Sequence, residues 1–193
     1  MEERSRRIVE TAISLAERDG FDAVRLRDVA KQANVALGTV YRRFSSKEDI
    51  LVAALQLYIE MFRAQVTADA FPGPTAAARI DVYFLILTRI LVSRPHLARA
   101  LIRALASGVP DVTSRVAQFR DQMTSLVELA MVGPDGAACE VPVARRRDVA
   151  FLLQNLWFAE IVGWAGGIST EEVVLANTRT AAGLLLAGAV AAG

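Results

Sequence analysis

LRDVAKQANVALGTVYRRFSSK, residues 26–47, decides the reading of this chain. Leu26, Val29, Ala30 and Ala33 recur at i, i+3, i+4 and i+7, the spacing of a short amphipathic helix. Asn34 supplies a turn, since its side chain tolerates the left-handed conformation. A second short helix is expected from about Leu37 to Phe44. At about 100° per residue, Leu37 and Phe44 lie within about 60° of Val40 and form one apolar face. Gly38 and Arg42 point the opposite way, flanked by Thr39 and Tyr41. Two short helices joined by a tight turn, over about 25–44, predict a helix-turn-helix whose second helix enters the DNA major groove. Gly38 would let the backbone approach the groove closely. Arginine can bond guanine bidentately, and the hydroxyls of Thr39 and Tyr41 suit phosphates or base edges. Arg43 would reach the phosphate backbone, as would Lys47, in the first turn of the next helix.

Outward from this stretch the chain reads as helix throughout. Ile8, Ala12, Leu15 and Ala16 repeat at helical spacing upstream, and Gly20 closes that helix. Downstream, Ser46-Lys-Glu-Asp49 is a capping box that opens a long helix to about Asp69. FPGPT, residues 71–75, breaks it. Further helices are predicted at about 75–93, 96–106, 111–131, 143–165 and 170–190. Pro95, Gly108-Val-Pro110, the Gly133–Pro142 loop and Gly166-Gly167 separate them. No stretch alternates at period 2. The predicted class is all-α with about nine helices. Residues 1–50 would form a DNA-binding domain and 51–193 a larger helical domain.

The hydrophobic fraction of 53% and mean hydropathy of +0.33 raise the question of a membrane segment. A spanning helix needs about 20 apolar residues, and a charge near its centre is costly. Ile80–Val92 carries Asp81 and Arg89, Val149–Ile168 carries Glu160, and Val173–Ala192 carries Arg179. All three are read as buried helices, with no membrane partner expected. The start, MEERSRRIVE, lacks the apolar stretch of a signal peptide, so a cytoplasmic protein is expected. One cysteine, Cys139, excludes an internal disulfide, and one histidine, His96, leaves no metal-ligand cluster. Neither a metal nor a cofactor is expected. The net charge is only +1, yet Arg25–Lys47 holds six basic residues against one acid, Asp28. A basic segment inside a neutral protein points to a polyanionic partner.

Val29-Ala30, Ala33, Val35, Gly38-Thr39-Val40-Tyr41, Phe44 and Ser46-Lys47 together resemble the helix-turn-helix signature of the tetracycline-repressor (TetR) family. Gly20-Phe21-Asp22-Ala23 is similar to the family's link between its first two helices. The resemblance covers about residues 5 to 56; beyond it, only length and helical organisation agree. Val35-Ala-Leu-Gly-Thr39 and the tryptophan-bearing eighth helix further resemble an actinobacterial branch that represses cholesterol breakdown. Two positions depart from the pattern. Arg25 and Ala36 stand where the family caps its second and third helices with a hydroxyl residue, and each missing cap costs on the order of 1 kcal/mol. By position, the resemblance implies that Arg27, Thr39, Tyr41, Arg42, Arg43 and Lys47 touch double-stranded operator DNA, with Arg27 and Arg42 reading bases.

The family also implies that the middle helices enclose a ligand and that the last two pair with a second subunit, giving a homodimer. Phe62, Phe84, Phe119, Gln154, Asn155 and Trp157 are the candidate ligand residues. Gln154 and Asn155 interrupt an apolar helix, and a buried amide there needs a partner. With few charges on the apolar faces, a small apolar or amphipathic effector fits best. Ala176, Thr180, Gly183 and Ala187 form a small-residue stripe that would admit another helix, and Trp164 joins them as a candidate dimer contact. The implied function is a repressor released from a palindromic operator by a lipid-like ligand. A multidrug-efflux repressor is the alternative within the family. A helical enzyme or ligand carrier is the rival class, with no nucleophile elbow or phosphate-binding loop to support catalysis.

Overall fold

The computed structural model describes residues 2–65, 70–133 and 139–191, and its regular elements there are all helical. They are α1 (Glu3–Asp19), α2 (Leu26–Gln32), α3 (Leu37–Tyr41), α4 (Lys47–Gln65), α5 (Ala76–Val92), α6 (Pro95–Leu105), α7 (Thr113–Val132), α8 (Val143–Ala165) and α9 (Glu171–Ala191). Short 3-10 turns at Phe21–Ala23 and Pro110–Val112 precede α2 and α7. The expected end of the fourth helix near Asp69, and Pro134–Ala138 of the expected loop, lie outside the described residues. The chain divides into two compact units, Met1–Ala64 with Arg94–Arg120, and Gln65–Ser93 with Asp121–Gly193.

In the first unit α1 buries Ile8, Val9, Ala12, Ile13, Leu15 and Ala16 along one stripe. It stops at Gly20, whose φ of +80° accompanies an N–H bond to the Ala16 carbonyl, a conformation that favours glycine. Between α2 and α3 the chain turns through Asn34 at φ +53°. The Val35 N–H bonds the Ala30 carbonyl at 3.0 Å and the Asn34 N–H bonds the Lys31 carbonyl at 3.3 Å. These are the paired bonds of a Schellman motif with asparagine in the left-handed position. The third helix is shorter than the sequence suggests. It ends at Tyr41, after which the N–H groups of Arg43 and Phe44 both bond the Val40 carbonyl, and this tighter turn still carries Phe44 into the core. Neither Arg25 nor Ala36 makes a side-chain cap, as the sequence pattern implies. Ser46 does cap α4, accepting from the Asp49 N–H at 3.2 Å, and Asp49 reaches back to the Ser45 N–H at 3.0 Å. Ile50 through Leu57 are all buried, so α4 is enclosed on every side there. α6 packs on α1 and on the Phe21–Ala23 turn.

In the second unit α9 packs along both α5 and α8. α5 buries Ala76, Arg79, Ile80, Tyr83, Phe84 and Thr88. Arg79 is only 2% exposed. It donates to the carbonyls of Gly73 (3.1 Å), Ala130 (3.2 Å) and Met131 (2.6 Å), the last two at the C-terminal end of α7. There a cation meets carbonyls that have no partner within the helix. α8 carries both tryptophans of the chain, Trp157 buried and Trp164 half-buried. α9 has two sides. Val174, Thr178, Ala182, Leu186 and Ala189 are buried, whereas Val173, Ala176, Thr180, Gly183, Leu184, Ala187 and Val190 are exposed, Leu184 by 71%. By length and composition α9 is apolar enough to cross a bilayer, yet Arg179 near its middle pairs with Asp81 of α5 at 2.7 Å.

Candidate nucleic-acid interface

The wheel expected for α3 is the one observed. Val40 and Phe44 are buried and Leu37 is half-buried, which holds the helix against its neighbours. Gly38, Tyr41 and Arg42 are exposed, Tyr41 by 59%, and Thr39 is half-buried. A Cβ at Gly38 would meet nothing within 4 Å among the described residues, so the backbone is open to them on that side. The Arg42 guanidinium folds along its own helix, donating to the Gly38 carbonyl and to the Thr39 hydroxyl, each at 3.3 Å. Arg27 is exposed on α2.

Arg43 and Lys47 are both engaged with carboxylates. Arg43 donates to Glu2 at 2.7 Å and to the Ser5 hydroxyl at 2.8 Å, which ties the end of the helix-turn-helix to the start of α1. Lys47 donates to Asp22 Oδ1 at 3.3 Å, with its Nζ 3.9 Å from the centroid of the Phe21 ring. Arg103 of α6 holds Asp22 Oδ2 at 3.2 Å and lies 4.2 Å from the same ring centroid. The hydrogen bond from Lys47 and the charge of Arg103 keep the Asp22 carboxyl below its ordinary range. Its pairing is therefore complete above the ordinary carboxylate range and is lost only as pH falls through the lowered value. The hydrogen bond from Arg43 lowers Glu2 in the same way. The excess of positive charge counted along residues 25–47 is thus partly offset in space by two acids from outside the segment.

Behind this face Asp49 is buried and paired with Arg115 of α7 at 2.7 Å. Arg115 also donates to Gln56 at 3.3 Å, and Gln56 to Gln118 at 2.9 Å, so a polar chain links the start of α4 to the start of α7. Sequence reasoning missed Glu2, Asp22, Arg103 and Arg115. Asp22 lies in a recognisable link, but Arg103 follows it by 81 positions with no periodic signal.

The candidate ligand residues fall in both units. Phe62, half-buried, and Phe119, buried, belong to the first. In the second, Phe84 and Trp157 have ring centroids 5.7 Å apart, and the Trp157 indole N–H donates to the Thr88 hydroxyl at 2.9 Å. Gln154 is buried and accepts from the Thr124 hydroxyl at 2.8 Å, so its own chain already supplies it a partner. Asn155 donates to the Phe151 carbonyl of its own helix at 2.6 Å. Tyr83, which sequence reasoning did not single out, stacks edge-on against Phe71 and Phe84 with centroids 5.4 and 5.0 Å away. Its hydroxyl is wholly buried with no hydrogen-bond partner among the described residues, and burial raises its pKa. Of the candidate dimer residues, Ala176, Thr180, Gly183 and Ala187 are exposed and Trp164 is half-buried.

A short helix anchored by Val40 and Phe44, with Gly38, Tyr41 and Arg42 turned outward after a Schellman turn, defines a helix-turn-helix DNA-binding protein. Residues 8–54 match the model of the bacterial regulatory proteins of the tetR family. The HTH-type transcriptional repressor KstR of Rhodococcus jostii is 30% identical over 184 residues, covering 95% of this chain and 83% of that protein. A crystal structure of a TetR transcriptional regulator from Rhodococcus sp. RHA1 superposes with a TM-score of 0.77 at 27% identity, covering 97% of this chain and 98% of that one. The transcriptional regulator FadR from Bacillus subtilis, crystallised with stearoyl-CoA, shares the fold at a TM-score of 0.65 and 18% identity, over 95% of this chain and 98% of that one. The chain belongs to the TetR family of transcriptional regulators.

Proposed function

We propose that this chain is a cytoplasmic, homodimeric repressor that binds a palindromic operator and is released from it by a small apolar or lipid-like effector. The outward face of α3 carries the reading: an apolar anchor on one side, and Gly38, Tyr41 and Arg42 on the other. Arg27 and Arg42 read base edges, Thr39 and Tyr41 contact phosphates or base edges, Arg43 and Lys47 contact the phosphate backbone, and Gly38 lets the groove approach closely. Residues 1–50 act as the DNA-binding part and 51–193 as the part that binds effector and dimerises. The name of the Rhodococcus relative supports repression. No catalytic role is assigned.

The exposed side of α9 supports the dimer. This helix already uses one stripe within its own chain and holds Arg179 in an ion pair, so a second copy covers the other stripe better than lipid does. Phe151, Leu152 and Val162 extend the exposed apolar area onto α8. A cluster of Phe71, Tyr83, Phe84 and Trp157 supports an apolar effector, and the unpartnered Tyr83 hydroxyl supports one that carries a polar atom. The stearoyl-CoA of the Bacillus regulator makes long-chain acyl thioesters the first compounds to try.

Selection of bound duplexes from a randomised pool tests the reading. The expected result is a two-fold symmetric motif with half-sites about one turn, ~34–36 Å, or a multiple apart. Enrichment of no motif would sink it. Release of the selected duplex by acyl thioesters or sterols then tests the effector.

A further inference from the structure

We infer that Arg103, on α6 and outside the helix-turn-helix, is a positioning residue for DNA binding: by holding Asp22 Oδ2 it sets how firmly that carboxylate retains Lys47. The inference rests on the reading of Lys47 as a phosphate contact. Asp22 is 77% exposed in its side chain and shared between two cations, one oxygen to each. Both cations also lie over the Phe21 ring, 3.9 and 4.2 Å from its centroid, an arrangement that keeps them near each other despite their like charge.

A DNA phosphate arriving at Lys47 competes with Asp22 for the same ammonium and is repelled by its carboxylate. Arg103 offsets that carboxylate. With Arg103 in place, Asp22 shares its charge between two partners and yields Lys47 readily. Without it, the whole negative charge falls on Lys47 and on the approaching phosphate. Arginine does not lose its proton in the working range of pH, so the offset is permanent. The Asp22 carboxyl, held below its ordinary range, is ionised wherever DNA binding is measured.

The test is a set of salt titrations of the full chain on a labelled mixed-sequence duplex, since phosphate contacts do not depend on sequence. Arg103→Ala should weaken binding about two- to fivefold, the scale of an exposed ion pair, and Arg103→Lys should recover part of the loss. Asp22→Asn should tighten binding by a similar factor and steepen the slope of log K against log salt by up to ~0.9, one phosphate contact. In the Asp22→Asn background, Arg103→Ala should have no effect. If the Arg103→Ala loss persists in that background, Arg103 touches DNA itself and the inference fails. An unchanged affinity and slope for Asp22→Asn also overturn it, and that variant does not depend on Arg103→Ala folding. Lys47→Ala separates the two levels: if it leaves affinity and slope unchanged, the phosphate reading of Lys47 is what has failed.

Discussion

Arg42 and Lys47 lie five positions apart and differ in what they can read. Arg42 is exposed on the outward side of α3 and folds back on its own helix through two bonds of 3.3 Å, which groove contacts can replace. Arg42→Ala should cost about 1–3 kcal/mol against the selected operator and relax base preference at one position per half-site. Lys47→Ala should weaken all duplexes alike and lower the salt slope by about one. Titrations on operator and scrambled duplexes distinguish the two patterns; identical patterns would mean that Arg42 reads no base. Buried charge has a different role. Arg79 donates to three carbonyls, so Arg79→Met should cost about 3 kcal/mol in urea denaturation, chiefly through the carbonyls left unpaired. Gly133→Ala should destabilise for a related reason. Its φ is +70°, and a Cβ there would stand 2.8 Å from Arg79 Nε.

At the scale of the helices, α3 enters without a side-chain cap because Ala36 occupies the position. Its φ of −64° and ψ of 140° are already those of a capping residue. Ala36→Ser should therefore stabilise by about 1 kcal/mol, seen as a rise in the thermal midpoint. An unchanged midpoint would show that α3 is held by packing alone. The same element shows what could be read from sequence. Val40, Phe44 and the outward residues follow from periodicity, and the turn at Asn34 from the chemistry of one side chain. Ser46 and Asp49 announce the start of α4. The five later helices lie close to where proline and glycine breaks put them, since those breaks act locally. What was not legible depends on tertiary approach. Glu2 meets Arg43 across 41 positions, and Arg79 meets Met131 across 52. Charged and polar side chains carry no period, so nothing in the chain's order announces such partners. Gln154 shows the same limit from the other side. Its place in an apolar helix implies a need for some partner without saying which, and Thr124 meets that need within the fold.

For the molecule as a whole, the two-sided α9 makes the oligomeric state the first measurement. Among the described residues nothing lies within 4 Å of a Cβ at Gly183, and its stripe is exposed along the helix. Gly183→Phe should leave the monomer folded and drive subunits apart, which light scattering across a dilution series would record. A variant still dimeric at low concentration would move the interface elsewhere. Effector and operator must also be linked reciprocally: if a lipid weakens DNA binding, DNA weakens lipid binding by the same factor, with a coupling of about 1–3 kcal/mol. Equal lipid affinities with and without saturating operator would disconnect the two sites.

Both tryptophans stand on α8, and the helix-turn-helix has none. Under selective ultraviolet excitation the whole chain therefore glows from a single helix. Trp157, enclosed with Phe84 and Thr88, should emit towards the blue; Trp164, half in contact with solvent, further to the red. An added lipid that reaches Trp157 would shift or quench the first component, and subunit dissociation would alter the second. The unlabelled protein thus carries two optical channels of its own, one for each event expected in its C-terminal part, while Tyr41 and the rest of α3 stay dark.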